Sequence, residues 1–307
     1  MMGSTITHLI KTEATRLGFD LCGICPVDEL KENKQYLERW IAEGKSAEMR
    51  SFARNKEIRA NPAVLMDGAK SVISLLINYF PEQKQNENSF YKISKYAHGN
   101  DYHAVIRKKL DSLIQFIKDN SKDAKAEGFV DSAPIFEKAW AQKCGLGSIG
   151  KNTLLINPVF GTFCFVSEIF TDLELEYDAC LNFDPCKNCQ ACVKACPTMA
   201  LDEEGHLNAS NCISYISIES RTKSLSDSNE KWIYGCDICQ DVCPWNKKVK
   251  PTNEQLFKGN QTLLDLKKED WENLSEEKFL TLFENSAVKR IGYEKLMKNI
   301  RAVRKDN

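Results

Sequence analysis

Eight of the thirteen cysteines in this 307-residue sequence fall between Cys186 and Cys243, and their spacing restricts the fold more than any other feature. Cys186-x2-Cys189-x2-Cys192-x3-Cys196-Pro197 is the run in which three thiolates hold one [4Fe–4S] cubane and the fourth crosses to a neighbouring one. Two-residue gaps turn three sulfurs onto one cluster face, and the proline turns the backbone away so that Cys196 points elsewhere. A zinc site would need four closed tetrahedral ligands and leaves the x3-Cys-Pro step unexplained. Cys236-x2-Cys239-x3-Cys243-Pro244 repeats the run without its first member, since Ile233 stands three residues before Cys236. Cys243 is expected to cross back to the first cluster, so the second needs a ligand from outside the run. Cys212, between the two runs, is the preferred ligand and Cys180 the alternative. Crowding of this kind in a reducing compartment points to metal thiolates rather than disulfides. Cys22, Cys25, Cys144, Cys164 and Cys180 are read as small buried side chains.

Upstream, the chain alternates helix and strand. A helix through Ile6, Ile10, Ala14 and Leu17 precedes a short strand near Leu21–Ile24; Ser71–Tyr79 is an apolar run of strand length. Ile106, Leu110, Leu113 and Ile117 recur at helical spacing. Phe129–Val130 ends a strand before a helix opening near Pro134, and Thr162–Phe170 is a further strand. Together these predict a sheet covered by helices. Beyond Tyr177 the texture changes to Cys, Pro, Asn and Asp, and beyond Lys250 to a cysteine-free, helix-prone stretch that Leu263, Leu266, Trp271, Phe279 and Phe283 would dock. The expected division is 1–176, 177–250 and 251–307.

With a net charge of −1, global electrostatics do not argue for a nucleic-acid partner. A local patch does exist: residues 286–307 carry seven basic side chains (Lys289, Arg290, Lys295, Lys298, Arg301, Arg304, Lys305) against Glu294 and Asp306. On charge alone it reads as a solvated helix face. No apolar run is long enough to span a bilayer, and the opening MMGSTITHLIK is not a signal peptide, so a cytoplasmic protein with no membrane partner is expected.

Gly145-x-Gly147-x-x-Gly150 matches the dinucleotide fingerprint as a string, but it follows a predicted helix and precedes the strand TLLIN, the reverse of the required order. A tight turn, where the backbone passes close to a ligand or another chain, is expected instead. Asp131, in FVDSAP between a strand and a helix, reads on position alone as a capping or turn residue.

Several longer motifs add a resemblance. VDSAPIFEKAWAQKCGLGSIGKNTLLINPVFGTFCFVSEIFTDLEL (130–175), NCISYISIE (211–219), GCDICQDVCPWN (235–246), KYAHGNDYH (95–103) and the SAVKRIGYEKLMKNIRAV end resemble the epoxyqueuosine reductases, over nearly the whole chain. That family comprises cobalamin-dependent iron–sulfur oxidoreductases, relatives of the reductive dehalogenases. They perform the last step of queuosine biosynthesis, reducing an epoxide on a modified tRNA nucleoside to an alkene with loss of water.

The resemblance implies an α/β (α+β) nitroreductase-like cobalamin-binding sandwich, a bacterial-ferredoxin-like 2[4Fe–4S] module and a short helical C-terminal segment. It supports Cys212 as the isolated ligand, so the metal set becomes Cys186, Cys189, Cys192 and Cys243 on one cluster and Cys196, Cys212, Cys236 and Cys239 on the other. It makes Asp131 the proton donor, which requires a carboxyl pKa raised towards working pH. It offers Arg59, Tyr96, Asp131, Lys151, Asn152 and Ser167 for the cobalamin pocket. No D-x-H-x-x-G occurs, so a base-off cobalamin without a protein imidazole is expected. The implied partners are the anticodon loop of tRNA, whose bases can be splayed out and stacked, and an external electron donor, with the enzyme acting as a monomer. Lys289, Arg290, Arg301 and Arg304 become candidates for phosphate contact; many family members continue into a C-terminal helical repeat region that helps hold tRNA, and this sequence stops about where that region would be expected to begin. Activity on an organohalide would instead mark a reductive dehalogenase, and clusters without a corrin would mark a plain electron-transfer ferredoxin.

Overall fold

The two most apolar stretches of the chain pair with each other at its centre. In chain order the strands are β1 (Leu21–Pro26), β2 (Ser71–Asn78), β3 (Lys92–Ile93), β4 (Ala126–Phe129), β5 (Ser148–Ile149), β6 (Leu155–Ile156), β7 (Cys164–Thr171) and β8 (Trp232–Tyr234). β1, β2, β7 and β4 form, in that order, a four-stranded sheet whose neighbours are all antiparallel. The computed structural model describes residues 2–86, 89–181, 183–226 and 229–304; Lys305 and Asp306 of the basic tail lie outside them.

Every residue of β2 is buried because both faces of the sheet are covered. On one face lie the helices Met2–Arg16 and Tyr102–Asn120, which bury Ile10, Ala14, Ile106, Leu110 and Leu113 against Ile73, Leu75 and Ile169. On the other lies the helix Glu137–Lys143, whose Trp140 meets Phe170 and Leu76. Trp140 is fully buried, and truncation to alanine would cost about 3–5 kcal/mol. The Tyr102–Asn120 helix starts where Asp101 accepts the His103 backbone N–H at 3.0 Å, a side-chain cap on an otherwise unpaired donor. The expected opening of a helix near Pro134 is displaced to Glu137, because residues 131–135 are bends and Asp131 stands at φ +52°.

A third core joins parts of the chain that the sequence assigned to separate segments. Tyr91 and Ile93 pack with Trp232, Tyr234, Trp271, Phe279, Phe283 and Leu296, and β3 pairs in parallel with β8. Leu263, Leu266, Trp271, Phe279 and Phe283 are all buried, as their pattern requires. The 177–250 and 251–307 stretches therefore share apolar packing with residues 90–97 instead of standing apart.

The glycine-rich turn makes a close approach, but to a distant segment of the same chain rather than to a ligand or another chain. Gly145 has φ +75°, and a Cβ there would lie 2.4 Å from the Ala179 carbonyl oxygen. Beside it Asp178 takes Lys11 Nζ at 2.5 Å and the Ile24 N–H at 2.8 Å, which fixes the chain as it leaves the sheet for the cysteine-rich region. Among the described residues no helix is long and apolar enough to cross a membrane.

Candidate functional site

The eight clustered thiols fall into two groups of four. Cys192 feels the charges of Cys186 and Cys243, and Cys243 those of Cys186 and Cys189. Cys236 feels Cys212 and Cys196, while Cys239 feels Cys236 and Cys212. The contact between the groups runs from Cys239 to Cys192. Cys212 thus stands with the second group; Cys180 is exposed, its sulfur 3.2 Å from the Gln142 carbonyl. Among the described residues no three His, Cys, Asp or Glu side chains are grouped to hold a single metal ion.

Local turns build these groups. Cys189 N–H donates to the Cys186 carbonyl at 2.6 Å, and the short helix Ala191–Ala195 carries Cys192. Backbone donors reach the sulfurs: Lys151 N–H lies 3.3 Å from Cys186 Sγ and Ala200 N–H 3.3 Å from Cys196 Sγ. Burial, reinforced by Asp237 and the neighbouring thiols, pushes Cys236 up to about 12, and burial raises Cys239 and Cys212 as well. Without metal these thiols keep their protons, and a cluster must displace them. Asp237, itself buried, accepts Lys95 N–H at 2.8 Å and Gln240 Nε2 at 3.0 Å, tying the 236–240 turn to the 94–97 segment.

A cavity of about 460 Å³ opens between this region and the sheet. Its thiol wall contains all four of Cys196, Cys212, Cys236 and Cys239 and none of the other quartet. The same cavity is lined by Asp131, Tyr102, Glu137 and Lys138, which form its acid wall, and by Tyr96, Asn152 and Phe165.

On that wall Asp131 is held by three neighbours. His103 Nε2 lies 2.9 Å from its Oδ2, the Tyr102 hydroxyl donates to it, and its backbone N–H donates to Glu137 Oε1. The other imidazole nitrogen, Nδ1, lies 2.7 Å from Asp101 Oδ1, so the imidazole bridges two carboxylates. Hydrogen bonds to Asp101 and then to Asp131 outweigh the imidazole's burial and push His103 up to about 9. Burial alone would raise Asp131, but the bond from His103, its charge and the Tyr102 hydroxyl hold the carboxyl below the usual carboxylate range. This corrects the expectation of a raised Asp131 pKa: the proton of the pair resides on the imidazole. Glu137 shows the opposite balance, with burial and the Asp131 charge pushing it up to about 8.

Of the six side chains offered for a cofactor pocket, Asp131, Tyr96 and Asn152 line the cavity. Arg59 stands behind the 131–137 loop, its Nη1 donating to the Ile135 carbonyl at 3.1 Å and its guanidinium 4.2 Å from the Phe52 ring centroid. Lys151 is turned to the first thiol quartet, with Nζ 3.4 Å from the Lys187 carbonyl. Ser167 is buried within β7, opposite Leu75, and does not reach the cavity wall. Cys164, expected to be plain filler, lines the cavity, and exposed Cys180 is not core. Asp101, Tyr102, His103 and Glu137 received no role from the sequence. The available signals were the D-x-H at a helix start and a glutamate six residues after Asp131.

The residues present fit a large cofactor with amide edges. Asn152 is 5% exposed and its Nδ2 has no partner among the described residues, so an acceptor is wanted there. Leu154, Phe165, Val166, Leu201 and Ile213 supply the apolar wall a macrocycle would cover.

In the basic tail, Arg290 pairs with Glu219 at 2.5 Å and Arg304 with Glu272 at 3.5 Å. Lys295 Nζ is occupied by the Ile218 and Ser220 carbonyls. Lys289, Lys298 and Arg301 are exposed.

Comparison with known proteins adds the following. The family model described as "Epoxyqueuosine reductase QueG, DUF1730" matches residues 59–132, and the "4Fe-4S double cluster binding domain" matches residues 185–246. The epoxyqueuosine reductase of Cellulophaga algicola is 45% identical over 96% of this chain and 96% of its own length. That of Pseudomonas aeruginosa is 38% identical over 96% of this chain and 84% of its own. Among solved structures, epoxyqueuosine reductase from Streptococcus thermophilus superposes with a TM-score of 0.88 at 27% identity, over 97% of this chain and 80% of that one. An epoxyqueuosine reductase crystallised with an epoxyqueuosine-modified tRNA stem loop gives 0.88 at 26% identity, over 97% and 80%.

Proposed function

The chain belongs to the epoxyqueuosine reductase family, and from that premise we propose that it reduces epoxyqueuosine to queuosine in the anticodon loop of tRNA. The observation that carries this reading is one cavity lined both by a thiol quartet and by Asp131, through which the Asp101 and His103 network reaches it. Electrons and protons are the two things that converting an epoxide to an alkene and water consumes, and each wall is equipped for one of them.

Cys186, Cys189, Cys192 and Cys243 would hold the outer [4Fe–4S] cluster and Cys196, Cys212, Cys236 and Cys239 the inner one, so single electrons from an external donor move towards the cavity. The double-cluster family match over 185–246 supports two clusters, and cluster potentials respond to burial and hydrogen bonding to sulfur, which differ between the quartets. Base-off cobalamin is the cofactor we assign to the cavity, held by Tyr96 and Asn152 within a nitroreductase-like sandwich; when bound it supplies a low-potential nucleophilic metal that side chains cannot imitate.

The chain's own residues handle the proton. Asp101 orients the His103 imidazole and keeps it charged; His103 passes its proton to Asp131, which delivers it to the opening epoxide oxygen. The left-handed backbone at Asp131 turns the carboxylate to the cavity, and substrate entering above it excludes the water that otherwise solvates a side chain 55% exposed. Lys289 and Arg301 are the phosphate contacts we favour, since Arg290 and Arg304 must first leave their carboxylate partners. We expect a cytoplasmic monomer.

The test is anaerobic reconstitution with iron, sulfide and cobalamin, followed by mass analysis of nucleosides from epoxide-bearing tRNA. Queuosine should appear in proportion to reduced cofactor. Unchanged epoxyqueuosine, with clusters and cobalamin both loaded, refutes the assignment. Charge reversal at Lys289 or Arg301 should weaken tRNA binding and lower the slope of log affinity against log salt by about 0.7–0.9 per contact; an unaltered slope removes them.

A further inference from the structure

The reaction proposed above consumes two electrons and two protons: the epoxide oxygen leaves as water and both ring carbons remain in the alkene. The Asp101, His103 and Asp131 network accounts for one proton. We propose that Glu137 holds the second, acting as a neutral carboxylic acid on the cavity wall. This inference rests on the reductase reading and concerns the residue that completes it.

Geometry singles out Glu137. It opens the helix Glu137–Lys143, and its side chain turns back to the cavity. One carboxyl oxygen accepts the backbone N–H of Asp131. A protonated carboxyl can accept through one oxygen while the other carries an O–H donor, so the contact with Asp131 leaves a proton to give. The same contact keeps that donor beside the residue that delivers the first proton.

The groups facing Glu137 come from every element around it. Asp131 approaches from the loop, Tyr102 from the start of the long helix, Lys138 from its own helix, Arg59 from the helix Lys56–Ala60, and Glu168 from β7. The Asp131 backbone N–H, Lys138 and Arg59 favour the carboxylate; burial and the Asp131 charge oppose them and prevail, with the group pushed up to about 8. Lys138 spends its ammonium on the Thr153 carbonyl at 2.7 Å, and Arg59 is engaged with the Ile135 carbonyl. Glu168 is fully buried, with Oε1 3.3 Å from Ser74 Oγ and Oε2 unpartnered among the described residues. Burial drives its pKa well up, so it stays protonated and adds no charge.

The discriminating variant is Glu137→Gln, whose amide oxygen still accepts the Asp131 N–H but which has no acidic proton. In holoenzyme, kcat should fall about 100-fold or more, with the KM for tRNA and the iron content unchanged. The wild-type rate should decline as pH rises through about 8 and again through about 9, and the variant should lose the lower step. Independently of turnover, a component of the infrared carboxylic-acid carbonyl band should titrate near pH 8 in wild type and be missing from the variant, leaving the band of the permanently protonated Glu168. If the variant does not fold, the wild-type pH profile and infrared titration decide alone. A variant with wild-type kcat and both steps, or a wild-type carbonyl band that does not change between pH 7 and 9, overturns the proposal. If wild type yields no queuosine at any pH, the reductase reading falls instead, and the infrared titration still decides whether Glu137 holds a proton.

Discussion

On one wall of the cavity four thiols stand on short turns between residues 196 and 239; on the other, a carboxylate and imidazole network is drawn from a helix start, a bent loop and a second helix. The thiol wall is incomplete as protein. Burial raises Cys212, Cys236 and Cys239, and a metal cluster would have to displace their protons. The acid wall is complete as it stands, since the lowered Asp131 and raised His103 already share a proton between opposite charges. The contrast teaches where each wall can fail: the electron side through loss of cofactor, the proton side through loss of a single hydrogen bond.

The largest expected effect is on the thiol wall. Cys212→Ala should remove about half of the iron and take turnover to background, whereas Cys180→Ala should change neither; equal iron in both variants would dissolve the second quartet. Next, Asp131→Asn should lower kcat by about 100- to 10,000-fold with iron content intact, separating the walls by assay. A wild-type rate in that variant would remove Asp131 from the chemistry. His103→Gln should cost about 100-fold and abolish the alkaline step near pH 9. The sign follows from the raised pKa: His103 is charged below about 9 and loses its proton above it, so wild-type turnover falls as pH rises through that value. Smallest is Tyr102→Phe, which deletes one hydrogen bond to Asp131, worth about 1 kcal/mol or roughly fivefold in kcat. A larger loss would mean that its ring, stacked 4.2 Å from Phe165, holds the wall in place.

The two walls also differ in how far the sequence revealed them. Ligand spacing is local, so three of the four inner thiols could be read from the two runs, and Cys212 followed from the family motif. The strands Ser71–Asn78 and Cys164–Thr171 were legible to within a residue or two, the first because burial on both faces leaves a nearly continuous apolar run and the second from its aromatic and β-branched residues. The acid wall depends on His103 meeting Asp131 across 28 residues, which only the folded sheet brings about. That meeting reverses the expected direction of the Asp131 pKa. Ser167 is buried in β7 opposite Leu75 and is not among the residues that line the cavity, whereas Cys164, Phe165 and Val166 of the same strand are. Tyr91 and Ile93 are buried by partners far along the chain, a packing that no local pattern in the sequence announces.

The most direct test is a crystal structure of the reconstituted protein phased at the iron absorption edge. The account predicts two iron clusters, with the one bounded by Cys196, Cys212, Cys236 and Cys239 nearer to Asp131. Single metal atoms in place of clusters, or the Cys186 quartet lying nearer to Asp131, would contradict it.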